Sequence, residues 1–476
     1  MKTTPLILAA LAAAALAGCA SDAGLKTTAQ PQPAPVLGRL ADSLPRGEWP
    51  RADWWAVFQD TQLARLIDEG LADSPNLQTA ASRLKAAQAG VELADGNRGP
   101  SVALDADLSR QRFAQHGTTP PPFAGQYANV GRLALDFKYE LDLWGKNRAL
   151  LDAALGQSRA AEAELDSARL ILSTAIAQAY FQWQGLLERD RIQADIEQQR
   201  EAQIAWVQKR IRAGLDTTLA SKPGEQDLAA VRATRAQLAR DMQLTRHALA
   251  ALLGKGPERA ARLDAPAAQQ LAHPTLPDNL PATLLERRPD IVAQRARIAA
   301  ALGQAEAARA QFKPTVNLTA FLGFTSYRLG ELIDAQNRIL GGGPALSLPI
   351  LDSGRLRANL GARYAEADVA VGQYNQTVVD AVRQVADQLA TLQTLDDEQK
   401  AVDGGVNAAR QNLQLTERRL KAGLADRGNL LAAQNQVLAQ RGKAVELQDR
   451  RLQAELGLIK ALGGGYQAPA ATNNKG

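Results

Sequence analysis

The sequence predicts a mixed α and β membrane protein that is built from a tandem repeat. Three observations support this prediction: a long internal match, two pairs of amphipathic strands, and helical runs with almost no proline. The chain has 476 residues, of which 46% are apolar and only 4% are aromatic. It is long enough to bury a large core, and its wealth of Ala, Leu, Gln, Arg and Glu favours long helices.

The internal match sets the organisation of the chain. Residues 74–104 align with 288–318, and Pro75, Glu92 and Pro100 fall on identical residues 214 positions later. Beyond the strands the offset falls to 209, where Gly145 matches Gly354 and Leu238 matches Leu447. We therefore expect a first repeat over 73–254 and a second over 286–463, each with the order helix, β-hairpin, long helix, helix.

Strict alternation of apolar and polar residues predicts the strands. In "LALDFKYELDL" at 133–143 the leucines, Phe137 and Tyr139 share one face, while the other face is polar. The hairpins are expected at about 101–143 and 315–352, with Pro349 weakening or ending the last strand. Ten residues at a rise of roughly 3.3 Å suit the apolar band of an outer-membrane barrel, although a half-buried sheet on a soluble core has the same pattern. Four strands are too few to close a barrel, so an oligomer is expected.

Long runs without proline predict the helices. One extends from 146 to 212, about 100 Å at 1.5 Å per residue, and its counterpart covers about 355–421. Shorter helices are expected at about 75–98, 224–253 and 289–312. A coiled-coil rod would explain these helices alone, but it would leave the hairpins between them unexplained.

The amino terminus carries a targeting signal. Lys2 precedes the apolar run "PLILAALAAAALAG", which has the length of a signal-peptide core and is too short for a stable membrane helix. The run ends in "LAGC", and Cys19 is the only cysteine. This sequence resembles the bacterial lipobox. The resemblance implies a signal peptide over 1–18, a diacylglycerol and an N-acyl chain on Cys19, outer-membrane lipid as a partner, and a Pro-rich tether over 19–47.

Enzymatic and nucleic-acid roles find no support in the residues. The histidines at 116, 247 and 273 lack metal-ligand spacing, and no nucleophile motif is present. The glycine triplets at 341–343 and 463–465 lack the features of a phosphate loop and are expected to be flexible exits from a loop and a helix. The 55 basic residues are interleaved with 50 acidic ones, which is typical of solvated helix faces. We expect no enzyme, no metal, no other cofactor and no nucleic-acid partner.

Taken together, these features resemble the outer-membrane factor family of bacterial efflux systems, the TolC-like channels, and in particular the lipoprotein branch of OprM and NodT type. The motifs that carry the resemblance are "YELDLWGKNRA" at 139–149, "LLERRPDI" at 284–291, "LPILDSGRLRA" at 348–358, "RIRAGL" at 210–215 and "RLKAGL" at 419–424. It implies a homotrimer with a twelve-stranded outer-membrane β-barrel, four strands per chain, continued by a long periplasmic α-helical barrel. An equatorial region would comprise 48–72, 255–285 and 464–476.

The resemblance also implies a function: a passive outer-membrane conduit for drugs or other small toxic compounds. Its partners would be a periplasmic adaptor and an inner-membrane pump of the resistance-nodulation-division (RND) or major-facilitator (MFS) class. Two alternatives stay open, a conduit for type I polypeptide secretion and, in a different class, a structural helical lipoprotein of the periplasm.

Two sets of site residues follow from the resemblance. Arg210, Gly214 and Leu215, with Arg419, Gly423 and Leu424, would form the turns that face the adaptor. Glycine and basic residues also suit an ordinary helix end, and both roles are compatible. Many relatives have an aspartate ring in the pore where this chain has Ala432 in "LLAAQ". The constriction would then involve Asp426, Arg427, Leu431 or Ala432, with weaker cation selectivity.

Overall fold

The structure of the protein is a computed structural model, and it describes residues 21–37, 47–119, 121–266 and 280–468. The signal peptide, Cys19 and most of the tail after 464 lie outside the described residues, as does His273. The chain divides into two compact units. In the described part, the first unit comprises 21–31, 83–162 and 293–375, and the second comprises the rest.

In the described residues, six elements follow one another in the same order in both halves, and the first half ends with one further short helix. In the first half they are α1 (Thr61–Asp73), α2 (Pro75–Gly96), β1 (Ser101–Arg112), β2 (Tyr127–Leu141), α3 (Lys146–Arg212), α4 (Lys222–Leu252) and α5 (Pro257–Ala261). In the second half they are α6 (Leu280–Arg287), α7 (Pro289–Ala310), β3 (Thr315–Ser326), β4 (Arg338–Ser347), α8 (Ser353–Lys421) and α9 (Arg427–Ala461). Short 3-10 turns include Trp54–Phe58 and Thr218–Ser221.

The first unit contains a four-stranded antiparallel sheet with the order β1-β2-β3-β4. Its register places Leu104 opposite Leu135 and Leu135 opposite Leu322, so that these leucines of three neighbouring strands share one face. That face is open in the single chain: Leu104 is 67% exposed and Leu346 is 71% exposed. Strands β1 and β4 lie at the edges and have no further strand beside them in the described residues.

The second hairpin differs from its prediction in two places. Strand β4 ends at Ser347, so Leu348 and Ile350 lie outside it and the hairpin covers 315–347. Pro349, which cannot donate a ladder hydrogen bond, follows two residues later. The glycine triplet 341–343 lies inside β4 and not in a loop exit. A Cβ on Gly341 would lie 2.6 Å from the ring of Phe321, so the ring occupies the space that a side chain would need.

The second glycine triplet, 463–465, follows a helix as predicted, but it packs closely against other segments and is not a flexible exit. It follows α9, and all three of its glycines have positive φ. A Cβ on Gly463 would meet the carbonyl oxygen of Arg287, and one on Gly465 would meet the backbone of Arg51. Only glycine fits such close backbone approaches, so the turn ties α9 to the segments around 51 and 287.

The core of the second unit forms where α1 and the 3-10 turn Trp54–Phe58 pack on α3. Tyr180 and Phe181 of α3 are fully buried, and the ring of Phe58 lies 4.9 Å from that of Phe181. Arg259 pairs with Glu69 and Lys255 with Asp73. These contacts bring Glu69 and Asp73 of α1 together with Lys255 and Arg259 within this unit. Helices α8 and α9 form a second cluster that includes Val385, Leu389, Leu447 and Leu458.

The predicted tether is docked where the structure describes it. Residues 25–37 have no helix or strand and run beside α8. In the first unit the carboxylate of Asp368 accepts hydrogen bonds from the Thr28 and Ala29 amides and the Thr28 hydroxyl, at 2.7–3.1 Å. Leu25 packs against the cluster of Phe312, Leu356 and Leu360. The segment is therefore fixed along the helix over this stretch.

Candidate functional site

The two turns that the sequence singles out have the same backbone geometry. In the first AGL turn (210–215) the Leu215 amide donates to the Arg210 carbonyl at 2.9 Å and the Gly214 amide to that of Ile211 at 3.0 Å. In the second AGL turn (419–424) the Leu424 amide donates to Arg419 at 2.8 Å. Gly214 and Gly423 have φ of 74° and 71°. Both are Schellman motifs, in which a left-handed glycine ends the helix and satisfies its last carbonyls.

Each turn presents an apolar side chain to solvent. Leu215 is 66% exposed and Leu424 is 70% exposed. In many Schellman motifs the residue after the glycine packs on an apolar residue about one turn back, but here that position is an arginine in both turns. Both leucines are therefore left uncovered in the single chain.

The two turns differ in how they hold their arginines. The Arg210 guanidinium lies 2.6 Å from the carboxylate of Asp216 and 5.1 Å from the centroid of the Trp206 ring. The hydrogen bond from Arg210 to Asp216 is the main cause that raises the pKa of Arg210 above its usual value. Arg419 is exposed, and among the described residues it has no ion pair or side-chain hydrogen bond.

Trp206 also connects the first turn with the beginning of α9. A Cβ on Gly428 would lie 2.7 Å from the Trp206 ring, so the ring rests directly on the helix backbone there.

Ion pairs connect helices α3 and α4 farther from the turn. Arg235 contacts Asp190 and Glu197, at 3.1 and 2.8 Å, and Arg232 contacts Glu197 and Glu201, both at 2.7 Å. Sequence reasoning missed these contacts because they join different helices.

The second turn leads directly into α9. The Asp426 carboxylate accepts the amide of Asn429 at 2.9 Å, and the Asn429 side chain accepts the amide of Asp426 at 3.1 Å. This capping box starts the helix, so Asp426 has a structural role in addition to any role in a pore. The first turn needs a longer connection through Thr218–Ser221 before α4 begins.

The four constriction candidates do not share one environment. Asp426, Arg427 and Ala432 are exposed, whereas Leu431 is only 4% exposed. Leu431 packs inside the chain and presents no surface to a pore. A cleft of about 530 Å³ opens between the ends of α8 and α9, and Ala432 lies in its wall beside Arg419.

Other kinds of site are not apparent in the described residues. They contain no group of three or more His, Cys, Asp or Glu side chains that could hold a metal ion. No described helix combines the length and the hydropathy that a membrane crossing requires.

Comparison with solved structures gives the class of the protein. The outer membrane protein VceC of Vibrio cholerae matches with a TM-score of 0.79 at 37% identity, covering 88% of this chain and all of VceC. The outer-membrane channel OprN matches with a TM-score of 0.83 at 28% identity, covering 94% and 99%. The fold is therefore that of an outer-membrane channel protein.

Sequence comparison identifies the family. The family model described as outer membrane efflux protein matches residues 66–255 and 280–464. The multidrug resistance outer membrane protein MdtP of Shigella flexneri is 33% identical over 457 residues, covering 92% of this chain and 91% of MdtP. The chain belongs to the outer membrane efflux protein family, which confirms the family predicted from the sequence. It is an outer-membrane protein, and its family is one of transport proteins.

Proposed function

We propose that this protein is the outer-membrane channel of a tripartite efflux system. Drugs or other small toxic compounds pass through it passively, after an inner-membrane pump of the RND or MFS class and a periplasmic adaptor deliver them. The observation that carries the proposal is the four-stranded sheet, whose apolar face is exposed and whose edge strands are unpaired in the described residues. Such a face fits lipid, and such edges fit further strands.

The working form is a homotrimer. Pairing β4 of one copy with β1 of the next gives twelve strands from three chains, enough for a barrel with a lumen. The polar face of the sheet, which includes Asp136 and Glu140, then lines the inside, and the leucines face lipid. The helices of the three copies continue the channel into the periplasm, and the packed segments around 51–73, 255–263 and 463–465 form an equatorial girdle.

A tandem duplication produced the two halves. In support, α2 and α7 both have 22 residues, β1 and β3 both have 12, and α3 and α8 have 67 and 69. The family model also matches the chain in two consecutive segments.

Acyl chains on Cys19 add a lipid anchor. The segment that follows it is docked along α8 at Thr28 and Ala29.

The AGL turns are the surface that meets the adaptor. Their exposed leucines and left-handed glycines support this role, as does their recurrence in both halves.

At the pore, Asp426, Arg427 and Ala432 are the remaining constriction candidates. Cation selectivity should be weak without an acidic ring. The variant Asp426→Asn keeps a side-chain cap for α9 but removes the only acidic group among these candidates, so it should abolish the cation selectivity that remains. Strong cation selectivity that persists in this variant would argue against this choice of constriction.

Efflux in the native host tests the function. Deleting the gene should increase accumulation of fluorescent efflux substrates and lower resistance to several drugs, and the wild-type gene should restore both. The double variant Leu215→Ser/Leu424→Ser should fail to restore them, whereas Leu244→Ser, which changes an exposed leucine of α4, should restore them fully. If the deletion strain keeps wild-type accumulation for every compound tested, the proposal fails.

A further inference from the structure

The two AGL turns are equivalent in backbone and different in side chains. With the offset of 209 residues, Asp216 of the first turn corresponds to Ala425 of the second, and Trp206 corresponds to Leu415. The second turn therefore lacks both groups that hold Arg210 in the first. Leu415 is 56% exposed and Arg419 is exposed beside it. One arginine is held within the chain, and the other is available to a partner.

The free arginine lies in the wall of the cleft of about 530 Å³ between α8 and α9. The polar side chains that share this wall are Asn412, Thr416, Asn429 and Gln436. None of the described residues that line the cleft carries a carboxylate. A guanidinium surrounded by amides and a hydroxyl offers several donors at one place, an arrangement that binds a carboxylate through charge-assisted hydrogen bonds.

We infer that the second AGL turn alone carries the charged contact with the adaptor: Arg419 binds an acidic side chain at the tip of the adaptor inside this cleft. The first turn has a different task. Its arginine is held by Asp216 and Trp206, so it fixes the turn and contributes only backbone and Leu215 to the surface. This inference rests on the proposed function, because it requires an adaptor.

The structure suggests a substitution that occupies the arginine without removing it. Ala425→Asp places a carboxylate where the first turn has Asp216, and Arg419 should then pair within its own chain as Arg210 does. Ala425→Asn is the matched control, since it has nearly the same size and no charge. The direct variant is Arg419→Glu. If the Arg419→Glu variant does not reach the outer membrane, the Ala425→Asp variant tests the role of Arg419 instead, because it leaves every native polar group in place.

The measurement is site-specific photo-crosslinking in the native host, with the reactive residue at position 415 of the full-length protein. The wild type should yield a crosslink to a periplasmic adaptor. Arg419→Glu and Ala425→Asp should each lower the yield about tenfold or more, as expected for a truncated charge pair, and Ala425→Asn should stay within about twofold. Reversing the charge of the acidic adaptor residue that pairs with Arg419 should restore the crosslinking yield of the Arg419→Glu variant.

Failure of this inference and failure of the proposed function have different signatures. Wild-type crosslinking in both Arg419→Glu and Ala425→Asp would overturn the role of Arg419 while leaving docking intact. The absence of any adaptor crosslink from the wild type, together with unchanged drug accumulation in the deletion strain, would overturn both.

Discussion

The hydroxyl of Tyr180 donates a 2.7 Å hydrogen bond to Oδ2 of Asp60, and Oδ1 of the same carboxylate caps helix α1 through the amides of Gln62 and Leu63. Tyr180 is fully buried in α3. One carboxylate thus fixes the beginning of α1 and attaches it to the long helix. Burial, and then the bond to Asp60, raises the pKa of Tyr180, so the hydroxyl keeps its proton at physiological pH.

Removing this hydroxyl should destabilise the second unit. Tyr180→Phe leaves Oδ2 of Asp60 without its donor, and we expect the free energy of unfolding to fall by about 1–3 kcal/mol. Chemical denaturation of the purified protein measures this loss. Tyr374→Phe is the control, because Tyr374 is also a buried tyrosine and its hydroxyl makes no hydrogen bond to another described residue. Equal stability of the two variants would show that the bond to Asp60 contributes nothing.

Stability should decrease as the pH rises through neutrality because of Glu455. Glu455 of α9 is 1% exposed, and Arg451, which it contacts at 3.2 Å, also pairs with Asp396 of α8. Burial raises the pKa of Glu455 to about 7, against the attraction of Arg451. The folded state therefore holds a proton that the unfolded state releases near pH 4.5, so the contribution is full below that pH and is lost above about 7.

The variant Glu455→Gln isolates this effect. Its melting temperature, compared with that of the wild type between pH 5 and 8 in about 0.5-unit steps, should fall less steeply with pH. Asp449, whose pKa burial also raises, contributes a slope of the same sign in both proteins and serves as the shared background. A wild-type melting temperature that rises over this range, or an unchanged slope in Glu455→Gln, would contradict the prediction.

Two glycines in helices should respond oppositely to alanine. A Cβ on Gly303 of α7 would lie 2.9 Å from both the Ala149 carbonyl oxygen and the Ala153 amide nitrogen of α3, so the helices would have to separate. Gly361 of α8 has no atom within 4 Å of that position. We expect Gly303→Ala to lower the melting temperature at a cost of about 1–3 kcal/mol. Gly361→Ala should raise stability by up to about 1 kcal/mol through helix propensity.

The docked segment after Cys19 should be released when Asp368 is changed. Asp368→Ala removes the acceptor for the Thr28 and Ala29 amides, whose hydrogen exchange should then speed up about tenfold or more. Hydrogen exchange of the full-length protein measures this, with Glu366→Ala as the control, since Glu366 pairs with Arg363 of its own helix. Unchanged protection at Thr28 would show that other contacts hold the segment.

Local pattern was sufficient for much of the fold. The run from 146 to 212 contains no proline, and the helix begins and ends at those residues. Alternation placed Leu135 and Phe137 on the apolar face that the register shows. Strand β2 begins at Tyr127, earlier than the alternation indicates, because it pairs with the far end of β1. Its extra length depends on its partner, which a single strand's pattern does not reveal.

The site was less accessible to the same reasoning. Both AGL turns are recognisable because a Schellman motif is local and needs a glycine at one position. The partner of Arg210 follows it by only six residues, but their contact depends on the turn that reverses the chain. The contact of Trp206 with Gly428 joins helices that are more than 200 residues apart in sequence. The burial of Leu431 depends on how α9 packs, and helical periodicity alone does not show which side of that helix faces the chain interior.

Conductance in planar lipid bilayers tests the central claim most directly. The purified full-length protein, with its lipid anchor, should give discrete conductance steps on insertion, without nucleotide and without an ion gradient, because the trimer is a passive conduit. Protein that inserts as a folded trimer and yet gives no conductance steps at any voltage would contradict the account.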